Sequence, residues 1–294
     1  MRGFFEPKSV AVVGVSNSLD NLGWIISANL ANFGYGGAIY EVGPKGGSVF
    51  GRPIYRSLAE VPGPIDLAVL LTPAAVVPDL LEDCGRLGVR RVVIESGGFD
   101  EFGEEGRRLA ARVQEVAARR QIRFIGPNCL GLFNSRSGLA TAFGPLEAGI
   151  KPGGVSVLSQ SGGVMMTILN ALTSEGLGVA KMVSMGNKVD VDECDLLEYL
   201  IDDPETTAIC MYLEGVSRGR RLLVRGLGLL VWQALSAAIY WFDRDRLLDR
   251  SFGMQAAQRV ADIVVLLDGL DPAGRERVAA VFATPPLVLS LTDA

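Results

Sequence analysis

Short apolar runs that end in glycine- and hydroxyl-rich loops recur along the first 130 residues and alternate with helical patterns. The predicted strands span residues 9–15, 38–42, 66–71, 91–95 and 122–125. Strands that alternate with helices predict right-handed crossovers and a parallel, doubly wound α/β sheet. A hydrophobic content of 49% agrees with such a sheet, because both of its faces are buried. A ligand crevice is expected where the carboxyl ends of the strands meet.

The loop after the first strand, residues 16–23, is long and rich in hydroxyl groups. Only Gly14 and Gly23 remain of a G-x-G-x-x-G fingerprint, which weakens a nicotinamide interpretation. After the second strand, Lys45 lies where an NAD-binding chain would place a carboxylate. Lys45 therefore favours a phosphate group, with a solvated loop lysine as the alternative. Glu41 lies just upstream and keeps the NAD interpretation open.

A second α/β unit begins in the stretch 154–167, where a buried strand leads into an apolar helix. The turn between them carries Ser159, Ser161, Gly162 and Gly163. The first turn of a helix leaves N–H groups unpaired, and glycine allows close approach, so an anion such as phosphate fits there. An ordinary strand-to-helix turn with a serine cap is the alternative. Further strands are predicted at 178–185 and 208–213, with a helix at 196–201.

Composition restricts the classes of function that this chain can have. The net charge of −5 and scattered basic residues make nucleic acid an unexpected partner. The four cysteines show no paired spacing, which predicts a reducing compartment, a cytoplasmic location and no zinc site. There is no histidine in the sequence, so no histidine-dependent mechanism within this chain is expected.

Four carboxylates lie close together in the second unit, at Asp190, Asp192, Glu193 and Asp195. Such a cluster is compatible with a metal site. Acidic side chains at the start of a helix, however, interact favourably with the helix dipole. We therefore favour a structural role for these carboxylates and expect no metal in this chain.

Residues 222–294 differ in their residue pattern from the rest of the chain. The segment 226–242 is uncharged and apolar, and arginines precede it. It has about the minimum length that spans a bilayer, and its flanks suit a membrane interface. We favour instead a helix buried against the second α/β unit, within a helical tail of unknown role. A rearranged or frameshifted ending is a third interpretation.

Five short motifs occur in the order in which one enzyme family has them. They are FEP with SVAVVG in residues 5–14, GPNCLG at 126–131, SQSGG at 159–163, MGNK at 185–188 and YLEG at 212–215. Residues 4 to about 221 thereby resemble the CoA-binding, alpha-type half of NDP-forming acyl-CoA synthetases. This family includes ADP-forming acetate–CoA ligase and the alpha subunit of succinyl-CoA ligase.

The resemblance implies three regions. They are a Rossmann-like CoA-binding domain over residues 1–130, an incomplete flavodoxin-like domain of the succinyl-CoA ligase type over 150–221, and the tail. CoA or acyl-CoA would contact Gly14, Ser16, Asn17, Ser18, Gly23, Lys45, Thr72, Pro73, Ser96 and Gly97. Phosphate would contact Asn128, Ser161, Gly162 and Gly163. A beta-type ATP-grasp subunit or domain is the implied partner.

The resemblance also implies a reaction, and the sequence departs from the family at its key residue. In the family, phosphate attacks the acyl-CoA, and the acyl phosphate passes its phosphoryl group to a histidine in a Ser-His-Thr-Gly loop. Glu214 matches the glutamate that supports this histidine, with an ordinary strand-end carboxylate as the alternative. No such loop follows here, so we expect a truncated or remodelled CoA-binding protein that cannot complete the relay alone. The alternatives are an active ligase component completed by a partner chain, an NAD-dependent oxidoreductase and a membrane-tethered CoA sensor.

Overall fold

The computed structural model describes residues 1–146, 149–216 and 218–222. Its helices are α1 (Arg2–Phe5), α2 (Leu22–Asn32), α3 (Val77–Arg86), α4 (Gly103–Arg120), α5 (Gly162–Ser174) and α6 (Glu193–Ile201). Within the described residues, the strands form one sheet of seven and one of five. The α/β class predicted from alternating strands and helices is confirmed.

The first sheet is formed by the amino-terminal strands. They are β1 (Ser9–Val13), β2 (Ala38–Val42), β3 (Ser48–Val49), β4 (Arg52–Tyr55), β5 (Leu67–Leu70), β6 (Arg91–Ile94) and β7 (Arg123–Ile125). The spatial order is β3-β4-β2-β1-β5-β6-β7, and all neighbours are parallel except β3 and β4. Every residue of β1 and β5 is buried, as expected for central strands covered on both faces.

The hairpin β3–β4 is absent from the sequence prediction. Its strands have two and four residues, which is too short for a hydrophobic period to show. Phe50 and Gly51 make the turn, with positive φ angles of 49° and 74°. The parallel pairing of β4 with β2 brings Arg52 beside Glu41.

The second sheet contains β8 (Leu132–Asn134), β9 (Leu139–Ala140), β10 (Pro152–Ser159), β11 (Val179–Ser184) and β12 (Ala208–Tyr212). Its order is β12-β10-β11-β8-β9. Strand β10 pairs parallel with β11 and β12, whereas β8 pairs antiparallel with β11 and β9. The sequence predicts no strand between residue 125 and the stretch 154–167, and the short strands β8 and β9 lie in that interval.

Helix α6 begins three residues earlier than the predicted start at residue 196. The carboxylate of Asp192 accepts hydrogen bonds from the N–H groups of Cys194 (3.0 Å) and Asp195 (3.1 Å). This cap satisfies two of the N–H groups that a helix start leaves unpaired, and so fixes the boundary at Glu193.

The two sheets share one apolar core. Val10 and Val69 of the first sheet belong to the same buried cluster as Leu158 and Val183 of the second. Phe5 stacks on Tyr199 of α6, with ring centroids 4.9 Å apart. Because burial spans both sheets, the loops at their carboxyl ends are held in a fixed relation.

Strand β11 carries a fully buried lysine within the second sheet. The Nζ atom of Lys181 donates to Asp203 Oδ2 (2.7 Å) and to Glu205 Oε2 (2.7 Å). Thr206 also donates to Asp203, at 2.5 Å. Burial alone would raise the pKa of Asp203, but the bonds from Lys181 and Thr206 hold it below its usual value.

No helix in the described ranges has the length and apolar character needed to cross a bilayer. The expected apolar helix at 226–242, and with it residues 223–294 of the proposed tail, lie outside the described residues.

Candidate functional site

Asn21 organises the loop that follows β1. Its Oδ1 atom accepts from the N–H groups of Ser16 (3.0 Å) and Trp24 (2.9 Å), and its Nδ2 donates to the carbonyl oxygen of Gly14 (3.0 Å). The side chain thereby caps α2 and holds the loop against the helix start. Asn21 is not among the predicted site residues, although an asparagine shortly before a helical pattern is a recognised cap signal.

The predicted residues of this loop differ in accessibility. Asn17 and Ser18 are exposed, Ser16 is half-buried and Gly23 is buried. A Cβ atom on Gly23 would lie 3.0 Å from the carbonyl oxygen of Gly14, so glycine permits this close packing. Exposed hydroxyl and amide groups therefore lie beside the start of α2, an arrangement that suits an anion.

The loop after β2 touches the loop after β1. A Cβ atom on Gly43 would overlap the carbonyl oxygen of Val15, so the two main chains are in contact. Lys45 follows in the same turn and is exposed. It forms no ion pair with any residue of the described ranges, and its ammonium group is therefore available to an anion at this edge.

Glu41 does not face the crevice as a ribose-binding carboxylate would. It is fully buried, and it accepts from the Ser27 hydroxyl (2.5 Å) and from two guanidinium nitrogens of Arg52 (2.8 and 3.1 Å). Burial raises its pKa, against the hydrogen bonds from Ser27 and Arg52, which lower it. Glu41 therefore joins β2 to α2 and β4, which disfavours the NAD interpretation.

The loops after β5 and β6 are tied together by Ser96. Its buried Oγ accepts from the N–H of Thr72 (3.1 Å) and contacts the carbonyl oxygen of Leu70 (3.4 Å). The hydroxyl is thus engaged within the protein, and Ser96 holds the loops after β5 and β6 together at the crevice. The Oγ1 atom of Thr72 is buried without a hydrogen-bond partner among the described residues, and Pro73 and Gly97 are exposed.

The segment 126–131 joins the two sheets at this edge. The N–H of Asn128 donates to the carbonyl oxygen of Ser96 (2.9 Å), and the N–H of Asn187 donates to that of Pro127 (2.9 Å). Farther along the segment, Leu130 packs against the turn before α5, because a Cβ atom on Gly162 would lie 3.0 Å from its Cβ. The GPNCLG motif therefore contacts loops of both α/β units.

The turn between β10 and α5 has the predicted form. The Ser161 hydroxyl caps α5 by accepting from the N–H of Val164 (3.4 Å), and the Ser159 hydroxyl donates to the carbonyl oxygen of Ser161 (2.6 Å). Gly162 and Gly163 form the first turn of the 13-residue helix α5. Their N–H groups cannot be satisfied by the helix itself, which makes the turn suitable for an anion.

Two residues outside the predicted set fix the loop after β12. Gln160 Oε1 accepts from the N–H groups of Glu214 (2.9 Å) and Gly215 (3.2 Å). Lys188 Nζ donates to the carbonyl oxygen of Gly215 (2.5 Å) and to buried Glu193 (2.8 Å). The exposed Glu214 is thereby held near the turn before α5. Gln160 lies in the SQSGG motif and Lys188 in the MGNK motif, but the sequence alone gave no chemical reason to select either side chain.

The acidic segment is occupied by cap bonds and ion pairs. Besides capping α6, Asp192 pairs with Arg218, whereas Asp190 and Asp195 both pair with Arg123. Ligand atoms of residues 192–194 lie within 4.8 Å of one another, but Arg218 and Lys188 already neutralise the two carboxylates of that group. These contacts support the structural interpretation.

Glu95, directly after β6, is a buried carboxyl group that lacks hydrogen-bond partners in the described part of the chain. Neither of its carboxyl oxygens has a hydrogen-bond partner within the described residues. The nearby Thr141 hydroxyl accepts from the N–H of Leu132 (2.8 Å). Burial raises the pKa of Glu95 well above its usual value and outweighs the opposing effect of the neighbouring Thr141 hydroxyl, so folding favours the neutral acid.

Glu95→Met is expected to raise the free energy of unfolding by about 1–2 kcal/mol at pH 7, because it removes an unsatisfied buried acid. A raised pKa in the folded state costs stability as pH rises above the ordinary glutamate value, so the gain should grow with pH. Urea unfolding at pH 5 and pH 8 measures both effects. The exposed control Glu115→Met should change stability little, and a destabilised Glu95→Met would show that the carboxyl has an essential partner.

The chain matches two protein families in sequence. Residues 8–135 match the CoA binding domain, and residues 152–225 match the succinyl-CoA ligase like flavodoxin domain. The matches correspond to the two regions that carry the loops described above.

Curated relatives agree with the family matches. The chain is 41% identical over 227 residues to the ADP-forming acetate–CoA ligase I subunit alpha of Pyrococcus furiosus, covering 76% of this chain and 49% of that protein. It is 43% identical over 218 residues to the ADP-forming acetate–CoA ligase of Methanocaldococcus jannaschii, covering 74% and 30%. The chain thus spans about half or less of the length of these relatives.

A solved structure shows the same architecture. The dinucleotide forming acetyl-coenzyme A synthetase 1 of Ca. Korarchaeum cryptofilum, in its apo form, superimposes with a TM-score of 0.71 at 33% identity. The superposition covers 75% of this chain and 48% of that one. Motifs, paired domains and fold agree, and this part of the chain belongs to the alpha-type half of the NDP-forming acyl-CoA synthetase family.

Proposed function

We propose that this chain is the CoA-binding, alpha-type component of an NDP-forming acyl-CoA ligase. The observation that supports this most is the continuous run of contacts along the carboxyl ends of the strands. It leads from the Lys45 turn through the loops after β1, β5 and β6 to Asn128, and from there to Gly162. An extended ligand with phosphates at one end and a thioester at the other fits such an edge.

CoA would lie with its phosphates at the Ser16 to Gly23 loop and Lys45, and its chain along Thr72, Pro73 and Gly97. We assign this role to residues 1–130 and phosphate binding to Asn128 and the turn of the 150–221 unit. Exposed cations and helix starts suit both anions, and this binding uses no metal ion held by the chain. Ser96 would position the loops.

We call the place where Asn128 and the Gly162–Gly163 turn meet the crevice the junction. The reaction proposed at the junction is acyl transfer from sulfur to phosphate. A phosphate oxygen attacks the thioester carbonyl, the C–S bond breaks, and CoA leaves as its thiolate with an acyl phosphate as the second product. Negative charge builds on the carbonyl oxygen and persists on the phosphate. Amide and N–H donors from Asn128 and the Gly162–Gly163 turn would stabilise that charge.

The later phosphoryl transfer needs a histidine, and this sequence contains none. We propose that a second chain, a beta-type ATP-grasp component, supplies the acceptor in the cytoplasm, and that this chain alone does not pass the phosphoryl group on from the acyl phosphate. Glu214 is exposed on a clamped loop and has no ion pair among the described residues, so it could receive an imidazolium. Co-purification of the two chains with restored ligase activity would support this arrangement.

Calorimetric titration of the isolated chain separates the main proposal from the NAD alternative. CoA and acetyl-CoA are expected to bind, whereas NAD and NADH are not, because Glu41 is engaged by Arg52. Binding of NADH without binding of CoA would overturn the proposal.

Lys45→Glu is expected to weaken CoA binding by about tenfold or more, because it replaces a phosphate-binding cation with a repelling charge. The matched control is Lys8→Glu, which makes the same charge change at an exposed site directly before β1, at the opposite edge of the sheet. CoA affinity measured by calorimetry should fall only in the first variant. Equal affinities would remove Lys45 from the site.

A further inference from the structure

A chain of side-chain hydrogen bonds crosses from the first α/β unit to the second at the junction of the crevice. Glu101 Oε2 accepts from Asn187 Nδ2 (2.8 Å). Asn187 Oδ1 in turn accepts from Asn128 Nδ2, in a longer bond of 3.5 Å. The chain therefore ends at a residue to which we assign phosphate binding.

Glu101 itself is anchored by its own loop. Its Oε1 atom accepts from the N–H groups of Gly98 (2.6 Å) and Phe99 (3.2 Å). Both carboxylate oxygens are thus engaged, one by the main chain of the first unit and one by a side chain of the second. Glu101 is exposed, so no packing requirement explains this arrangement.

An ionised carboxylate can only accept hydrogen bonds, whereas each asparagine amide has one accepting and one donating end. Because Glu101 accepts, Asn187 must present its Nδ2 to it and therefore its Oδ1 to Asn128. Asn128 must then present its Nδ2 to the junction, where the second hydrogen of that nitrogen is free for a ligand. One charge thus fixes the orientation of two amides.

We propose that Glu101 is a positioning residue, which acts through Asn187 to keep the amide donor of Asn128 directed at the phosphate. This inference rests on the proposed phosphate site, and it identifies Glu101 as the residue that makes Asn128 offer a donor there and not an acceptor. Bonds from Asn187 and the main chain outweigh the effect of burial and hold the pKa of Glu101 below its usual value, so it stays ionised at neutral pH.

Glu101→Gln tests the inference, because the proposed relay and simple electrostatics predict opposite changes in phosphate affinity for this variant. Removal of a negative charge near an anion site should tighten phosphate binding. In the variant, however, the Gln oxygen keeps the main-chain bonds and its NH2 group faces Asn187, which inverts both asparagines. We expect inorganic phosphate to bind roughly fivefold more weakly, by 31P NMR titration, with unchanged CoA affinity.

The matched control is Glu104→Gln, which removes an exposed charge three residues after Glu101, in the first turn of α4, and breaks the pair with Arg108. Phosphate affinity in this control should stay equal or increase slightly. Unchanged or tighter phosphate binding by Glu101→Gln would overturn the proposal.

A second readout needs no ligand. The side-chain amide resonances of Asn128 and Asn187 can be assigned with alanine variants. Both resonances should shift in Glu101→Gln, and neither should shift in Glu104→Gln. If the wild type binds CoA but no phosphate, the proposed phosphate site fails, and these resonances still decide whether Glu101 orients the pair. An unshifted Asn128 amide would refute the relay.

Discussion

Lys181→Met is expected to lower the free energy of unfolding by about 3–5 kcal/mol, because it leaves the buried carboxylate of Asp203 without its counter-ion, whereas Glu205 keeps an ion pair with Arg136. The side chain of Lys181 is 0% exposed, and those of Asp203 and Glu205 are 5% and 20% exposed. The loss should be largest near neutral pH. Asp203 has a lowered pKa in the folded state, so its stabilising contribution is present above its unfolded pKa and disappears as pH falls.

Urea unfolding at pH 7 and pH 4 measures both the size and the pH dependence of this loss. The double variant Lys181→Met, Asp203→Leu serves as the control, because it removes the uncompensated charge together with the lysine. It should recover part of the stability, since a buried ion pair replaced by apolar groups often costs little. A loss below about 1 kcal/mol in the single variant would show that water reaches the carboxylates.

Gly186→Ala is expected to destabilise the fold by about 3 kcal/mol and to weaken ligand binding at the junction. Gly186 has a φ of 56°, and a Cβ atom there would overlap the carbonyl oxygens of Pro127 and Asn128. Main-chain atoms cannot move aside as a flexible side chain can. The substitution should therefore separate the MGNK loop from the segment that carries Asn128.

The matched control for this variant is Gly176→Ala. Gly176 has a similar φ of 69°, but a Cβ atom there would meet nothing within 4 Å. It should cost only about 1 kcal/mol, which is the backbone strain alone. Thermal unfolding and CoA and phosphate titrations of both variants isolate the contact. Equal losses would mean that the two loops do not depend on each other.

The sequence predicted the elements whose local signals agree with their tertiary role. Strand β2 has the predicted bounds of 38–42, and α5 begins at the glycine pair that the turn was expected to place there. Apolar runs and Gly-rich turns sufficed, because parallel strands are buried on both faces. The expectation of phosphate came from the chemistry of the turn before α5 and of Lys45, and the association of the loops with CoA came from the order of the motifs.

Elements that depend on distant partners could not be predicted in this way. Strands β8 and β9 have three and two residues, and they exist because β8 pairs with the edge of β11 and β9 pairs with β8. Ser96 was predicted as a ligand contact, but its hydroxyl is engaged by Thr72 of the neighbouring loop. Strand order, not sequence spacing, decides such pairs.

The same limit applies to the residues that organise the junction. Glu101 lies 86 positions before Asn187, and Gln160 lies 54 before Glu214. No local pattern links either pair. Glu41, in contrast, could be recognised as a carboxylate near the nucleotide position, but only the unpredicted hairpin strand β4 supplies the Arg52 that engages it.

The central claim is that one crevice, formed by loops at the strand ends, binds CoA. A crystal structure of the chain grown with CoA tests it most directly. The claim predicts CoA phosphates beside Lys45 and the Ser16 to Gly23 loop, with the thiol directed at Asn128. CoA bound elsewhere, for example in the surface groove lined by Gln114, Gln121 and Arg123, would contradict it.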